Sequence, residues 1–169
     1  MIEKIADIKP LLLEGRQNPA AVLPRLRALA CSAAWQEREV AATALVELAK
    51  RHPDVVLSVA AKWARDRDPN IRRAASEGLR GLVQRDPERV RPILEALRED
   101  SEIYVKRSVA NVLRNATRNQ PEFVVRICAE WAHATNSHTR WIVRDGLRKM
   151  KATRPADATR ILALLAPSA

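Results

Sequence analysis

Residues 53–86 read PDVVLSVAAKWARDRDPNIRRAASEGLRGLVQRD, and the proline that opens them returns at a step of 34. Pro19, Pro53, Pro87, Pro121 and Pro155 keep that step four times over. Four apolar columns stay in phase with them: Leu45, Leu79, Leu113 and Leu147; Ala41, Ala75, Val109 and Val143; Val22, Val56, Val90 and Val124; and the bulky set Leu29, Trp63, Leu97, Trp131 and Leu165. A fixed period of this length marks a stack of like units, because a single unit cannot bury its apolar face alone.

Within each unit the spacing predicts two helices. The first opens at the proline, which suits the first helical position because its missing N–H would be unpaired there anyway. Asn18 and Asp86 stand just before it as N-cap candidates. Asp54, Glu88 and Glu122 place negative charge in the first turn, where the helix dipole favours it. Apolar residues at 56, 59, 60 and 63, and again at 90, 93, 94 and 97, fall on one face. The second helix is predicted to start near Trp35, Pro69, Ser101 and Ser137. Its buried stripe is Ile71, Ala75, Gly78 and Leu82 in one unit and Val105, Val109, Val112 and Ala116 in the next. Ala44, Gly78 and Gly146 share a column of small residues, which predicts close helix–helix approach. With a leading helix over 1–18 and units starting near 19, 53, 87, 121 and 155, residues 1–169 read as one all-α domain, an α-solenoid of about five two-helix repeats.

The 169 residues carry 30 Lys plus Arg against 20 Asp plus Glu, a formal charge of +10. Of the basic residues 23 are Arg and 7 are Lys. An apolar content of 47% is enough to bury a core, which argues against disorder. Four Gly and 4% aromatics leave little for the turns and strands of a sandwich or barrel. No apolar run is long enough for a membrane span, and no signal peptide is expected. Cys31 and Cys128 make no disulfide framework, so the expected setting is a reducing cytoplasm. The charge favours a polyanionic partner, with nucleic acid ahead of a membrane surface.

The charge also has a place. Opposite the buried stripe, the second helices carry a line at helical spacing: Glu39, Thr43, Val46, Lys50; Arg73, Glu77, Arg80, Gln84; Arg107, Asn111, Arg114, Arg118; Trp141, Asp145, Arg148, Ala152. The outward line of the first helices instead holds Asp54, Ser58, Ala61; Glu88, Glu95, Glu99; Glu122, Arg126, Glu130, so one face reads basic and the other leans acidic. Residues 1–68 hold 11 basic and 9 acidic side chains, whereas 69–169 hold 19 and 11. An Arg stripe on a curved surface matches the footprint of duplex or bent nucleic acid, and Arg suits forked bonding to phosphate. A neighbouring column, Arg38, Arg72, Lys106 and Arg140, lies beside the inter-helix turn. It reads first as structural, pairing with a turn carboxylate such as Asp66, Asp68 or Asp100, and second as DNA-contacting, with Lys106 as the DNA candidate.

No G-x-S-x-G, Walker A loop, H-E-x-x-H or C-x-x-C motif occurs. His52, His133 and His138 are scattered without an acidic cluster, so neither a metal nor another cofactor is expected. Cys128 shares a column with Leu26, Ala60, Leu94 and Leu162 and reads as core, as do Trp63 and Trp131. Trp141 differs, because its column is Glu39, Arg73 and Arg107 and it is expected to be exposed on the basic face. Asp145 follows one turn later. A carboxylate near an aromatic among arginines can stabilise a cationic sugar, and the ring can stack on a base. The competing reading has Asp145 paired with Arg148 or Arg144 on its own helix and Trp141 plugging the end of the array.

The line Asp66-Arg67-Asp68-Pro69-Asn70-Ile71-Arg72-Arg73-Ala74-Ala75 resembles a compact HEAT repeat. Together with Ser76-Glu77-Gly78-Leu79-Arg80, Tyr104-Val105-Lys106-Arg107-Ser108-Val109-Ala110-Asn111 and Thr139-Arg140-Trp141-Ile142-Val143-Arg144, it resembles the HEAT-like DNA alkylation repair proteins of the AlkC/AlkD type over roughly residues 35–165. That resemblance implies an α-solenoid that grips duplex DNA, alkylated or distorted, on a concave face and excises cationic bases such as 3-methyladenine without metal or cofactor. It implies DNA contacts by Arg73, Arg80, Arg107, Asn111, Arg114 and Arg148, with Arg118 and Lys106 added from the columns above. It makes Asp145 and Trp141 the match to the family's catalytic carboxylate and groove aromatic, with Glu77 the second carboxylate candidate. A monomer is expected. The alternative is a non-catalytic scaffold that binds an acidic protein partner or structured DNA.

Overall fold

The computed structural model describes residues 8–165, and within them the chain is helical throughout. A leading helix, α1 (Ile8–Gln17), packs on the first repeat; residues 1–7 of the expected leading segment lie outside the described residues. The first helices of the repeats are α2 (Pro19–Ala30), α4 (Pro53–Trp63), α6 (Pro87–Leu97), α8 (Pro121–Ala132) and α11 (Pro155–Leu164). Each of the five periodic prolines is the first residue of its helix. The second helices are α3 (Trp35–Arg51), α5 (Pro69–Glu77), α7 (Ile103–Ala116) and α9 (Ser137–Gly146), the last followed by the single turn α10 (Met150–Thr153).

The repeat boundaries differ from expectation in two places. Helix α7 starts at Ile103 rather than Ser101, because the Asp100 carboxylate takes the N–H of Glu102 at 2.9 Å and holds that segment as a turn. Asn18 caps α2 through the N–H of Ala21, but Asp86 makes no cap bond to α6 and lies 3.9 Å from Arg89 instead. Caps at the second helices come from Asp68, bonded to the N–H of Asn70 at 2.8 Å, and from Asn136, bonded to those of His138 and Thr139 at 2.9 and 3.1 Å.

Burial follows the columns. Val22, Val56, Val90 and Val124 are sealed from solvent, as are Leu45, Leu79, Leu113 and Leu147 from the second helices. The two layers meet in one continuous core. The glycine column sets the spacing of the inner layer. A Cβ on Gly146 would stand 2.9 Å from Leu113 Cδ1 and 3.2 Å from its Cβ, and one on Gly78 would stand 3.1 Å from Leu45 Cβ. Only a residue without a side chain admits a leucine of the preceding repeat that closely, and helices α5 and α9 both give way to turns at these points. The second helices α5, α7 and α9 lie closer together than the first helices do, which makes their layer the inner side of the stack. Among the described residues no helix is long and apolar enough to cross a membrane.

Candidate nucleic-acid interface

The turn between the helices of a repeat is built by one recurring device. Arg38 donates to the carbonyls of Ser32 and Ala33 at 2.7 and 2.8 Å, and Arg72 donates to those of Asp66 and Arg67, both at 3.0 Å. Arg140 reaches the turn carbonyl of Ala134 in the same way and adds a bond to the carbonyl of Leu165 in the next repeat. Arg72 adds a forked pair to Asp100 of the next repeat, at 2.6 and 3.2 Å, which raises the proton affinity of its guanidinium further above the ordinary value. Asp66 is held below the usual carboxylate range by the N–H of Asp68 and by Arg27, 2.6 Å away. This column is therefore structural in three repeats. The fourth member, Lys106, has no fork to offer: its ammonium donates to His138 Nδ1 at 3.2 Å and lies 5.6 Å from the centroid of the Trp141 ring.

On the inner face the predicted stripe is not a row of free cations. Arg73 lies 3.4 Å from Glu39 of the preceding repeat, and Arg80, in the turn after α5, lies 3.1 Å from Glu77 at the end of that helix. Arg114 bonds one oxygen of Asp145, while Arg148 bonds the other at 3.3 Å. Asn111 accepts from Asn115 at 3.3 Å beside Arg114. Among the described residues only Arg107 and Arg118 of the stripe arginines lack a carboxylate partner, and Arg107 instead stands 6.0 Å over the Tyr104 ring. The sequence contained part of this signal: Glu39 and Arg73 are one repeat apart in the same column, a charge alternation that predicts pairing between neighbours.

Three expectations about side-chain placement are corrected. Glu77 is only 8% exposed and lines the floor of the inner face rather than standing out from it, with Arg80 3.1 Å away. Trp141 is half-buried against the core, with Lys106 near its ring. The outer face is not acidic in effect, because its carboxylates meet arginines across the repeats: Asp54 with Arg89, Glu88 with Arg126, Glu122 with Arg154 and Glu130 with Arg91, each at 2.5 Å. Asp145 does pair with Arg148, which stands in the turn just after α9, and Arg114 from α7 is a further partner. Cys128 is a sealed core residue whose thiol burial pushes up to about 12.

Helices α3, α5 and α7 together wall a groove of about 650 Å³ with Trp35, Glu39, Arg73, Tyr104, Arg107, Asn111 and Arg114 among its lining. The Arg73–Glu39 pair is open to water on its carboxylate side, and pairs in contact with water contribute about 0–1 kcal/mol, so a phosphate can replace Glu39 there at little cost. Asp145 and Trp141 stand one turn apart on α9, with Arg114 and Lys106 reaching them from α7. The arrangement can hold a polyanion and place a carboxylate beside it. Among the described residues no three His, Cys, Asp or Glu side chains are grouped to hold a metal ion.

A family model for HEAT repeats matches residues 19–114. Among solved structures, the chain is similar to Pseudomonas fluorescens alkylpurine DNA glycosylase AlkC bound to DNA containing an abasic site analog. The two are 29% identical with a TM-score of 0.73, over 94% of this chain and 46% of that one. The chain thus spans a little under half the length of that glycosylase. No curated protein sequence matches it.

Proposed function

The chain belongs to the HEAT-repeat family, and we propose that it is a DNA-binding solenoid of the alkylation repair type that holds duplex DNA against the inner layer of second helices. One observation carries this reading: nearly the whole chain superposes on a glycosylase caught on DNA, at 29% identity. The inner face supports it, because Arg73, Arg107 and Arg114 line the groove there. Arg107 and Arg118 provide the uncompensated charge, and Arg73 joins as a phosphate displaces Glu39, with Arg80, Arg114 and Arg148 beside them in pairs with Glu77 and Asp145. Asn111 lines the same groove, and Lys106, beside Trp141, is the further contact of this reading.

The reading extends to base excision. An N-alkylated base such as 3-methyladenine is cationic and leaves with the electron pair of the N-glycosidic bond as a neutral base, so its departure needs no proton from the protein. Water then adds to the anomeric carbon and loses a proton. Asp145 would stabilise the positive charge that develops on the sugar, with Trp141 beside it and Glu77 as the second carboxylate. The saturation of both Asp145 oxygens by arginine favours a second reading, in which the chain binds DNA and excises nothing.

Duplex binding across a salt series tests the first claim: affinity should fall steeply with salt as phosphate contacts release counterions. Flat or absent binding, or equal binding to an acidic protein, would remove it. Incubation with N-methylated DNA, followed by chromatography of released bases, decides between excision and binding alone.

A further inference from the structure

Two aromatic side chains stand apart from the core and from the chain of ion pairs. Trp35 and Tyr104 are each 64% exposed, whereas Trp63 and Trp131 are packed away. Trp35 is the first residue of α3 and Tyr104 the second of α7, so they stand on either side of α5, and both line the 650 Å³ groove. A single exposed ring on a protein surface needs no explanation, but two on the walls of one basic groove do. Four arginines face this groove against two glutamates, and Arg107, close over Tyr104, is without a carboxylate partner.

Flat rings interleaved with guanidinium groups suit a ligand that offers both a free π-face and a phosphate. A fully paired duplex keeps its base faces inside the stack and shows the protein only edges and backbone. An acidic peptide matches the arginines and leaves the rings idle. An unpaired nucleotide matches both. We propose that this groove binds unpaired nucleotides, with bases stacked on Trp35 and Tyr104 and a phosphate on Arg107. The proposal rests on the DNA-binding reading and narrows it: the preferred ligand is a duplex interrupted by a single-stranded gap or bulge.

The test measures affinity of the whole chain for a fully paired duplex and for the same duplex carrying a short single-stranded gap. The wild type should prefer the gapped ligand. Trp35→Ala and Tyr104→Ala should each lower affinity for it about thirtyfold, the loss of one mid-range base–aromatic stack, and leave the paired duplex unaffected. Trp35→Phe and Tyr104→Phe should recover most of the loss. Both rings are exposed, so the alanine variants should melt as the wild type does by circular dichroism. No preference for the gap, unchanged affinity in the alanine variants, or equal losses on both ligands overturns the proposal and leaves duplex binding standing. Failure to bind either DNA, or displacement of both by polyglutamate at matched charge, overturns the DNA-binding reading with it.

Discussion

Replacing Asp145 with Asn separates two roles that the same carboxylate could play. In the structure its oxygens are both taken, one by Arg114 and one by Arg148, and the side chain is only 16% exposed. Arg148, at 71% exposed, gives up this bond with little loss of packing. Asp145→Asn keeps the shape, removes one negative charge from the inner face and releases two arginines for phosphate. Each phosphate contact contributes about 0.9 to the slope of log affinity against log salt, so two add about 1.8. Between about 50 and 200 mM salt, that extra slope makes the variant's affinity fall roughly twelvefold further than the wild type's, with the variant binding more tightly at the low-salt end. If Asp145 also stabilises the developing sugar cation, base release from N-methylated duplex drops by about 10²–10³-fold in the same variant. Fluorescence anisotropy over a salt series reads the first effect, and chromatography of released base reads the second. A slope unchanged or shallower in Asp145→Asn refutes the placement of DNA over α9, and full base release refutes the catalytic role.

Other perturbations probe the scaffold. Arg72→Met strips the fork from Asp100, which is 6% exposed, and two carbonyl bonds from the turn; the expected loss is about 3 kcal/mol, seen as a melting temperature lower by about 6–12 °C. Gly146→Ala drives a methyl into Leu113, against its Cβ as well as its tip, so overpacking should outweigh the gain in helix propensity and destabilise by about 1–2 kcal/mol in urea titration. The depressed carboxyl of Asp66 adds stability that is present above its unfolded value near about pH 4 and is lost as pH falls through its lower folded value. Asp66→Asn should therefore flatten the acid limb of a stability–pH curve below about pH 4 and leave its shape at neutral pH alone.

The repeat architecture was legible because each unit had to meet the next in the same register. A valine at 22, 56, 90 and 124 can bury only if the helices repeat with it, and Gly78 and Gly146 mark where leucines of the previous repeat come close. The arginine stripe was legible in position and not in effective charge. Counting arginines along a helix ignores that a guanidinium reaches across to the neighbouring repeat, as Arg114 does to Asp145 and Arg89 to Asp54. The exposed rings were passed over for a similar reason. Trp35 marked a helix start and Tyr104 fell within a resemblance string, and neither sits in a column where an aromatic recurs. A side chain unique to its repeat is invisible to an analysis built on periodicity.

The ladder on the outer layer makes the stiffness of the array a function of ionic strength. Asp54–Arg89, Glu88–Arg126 and Glu122–Arg154 tie successive repeats through groups that remain in contact with water. The screening length is about 8 Å at physiological salt and about 3 Å at 1 M, so these ties slacken as salt rises. The apolar seams of the inner layer, where Gly78 meets Leu45 and Gly146 meets Leu113, do not weaken with it. A strip whose two sides respond differently to one variable bends, as a bimetallic strip does with heat. The groove at high salt then has another radius from the groove at low salt, and part of any salt dependence of ligand binding there belongs to the protein's curvature rather than to released counterions.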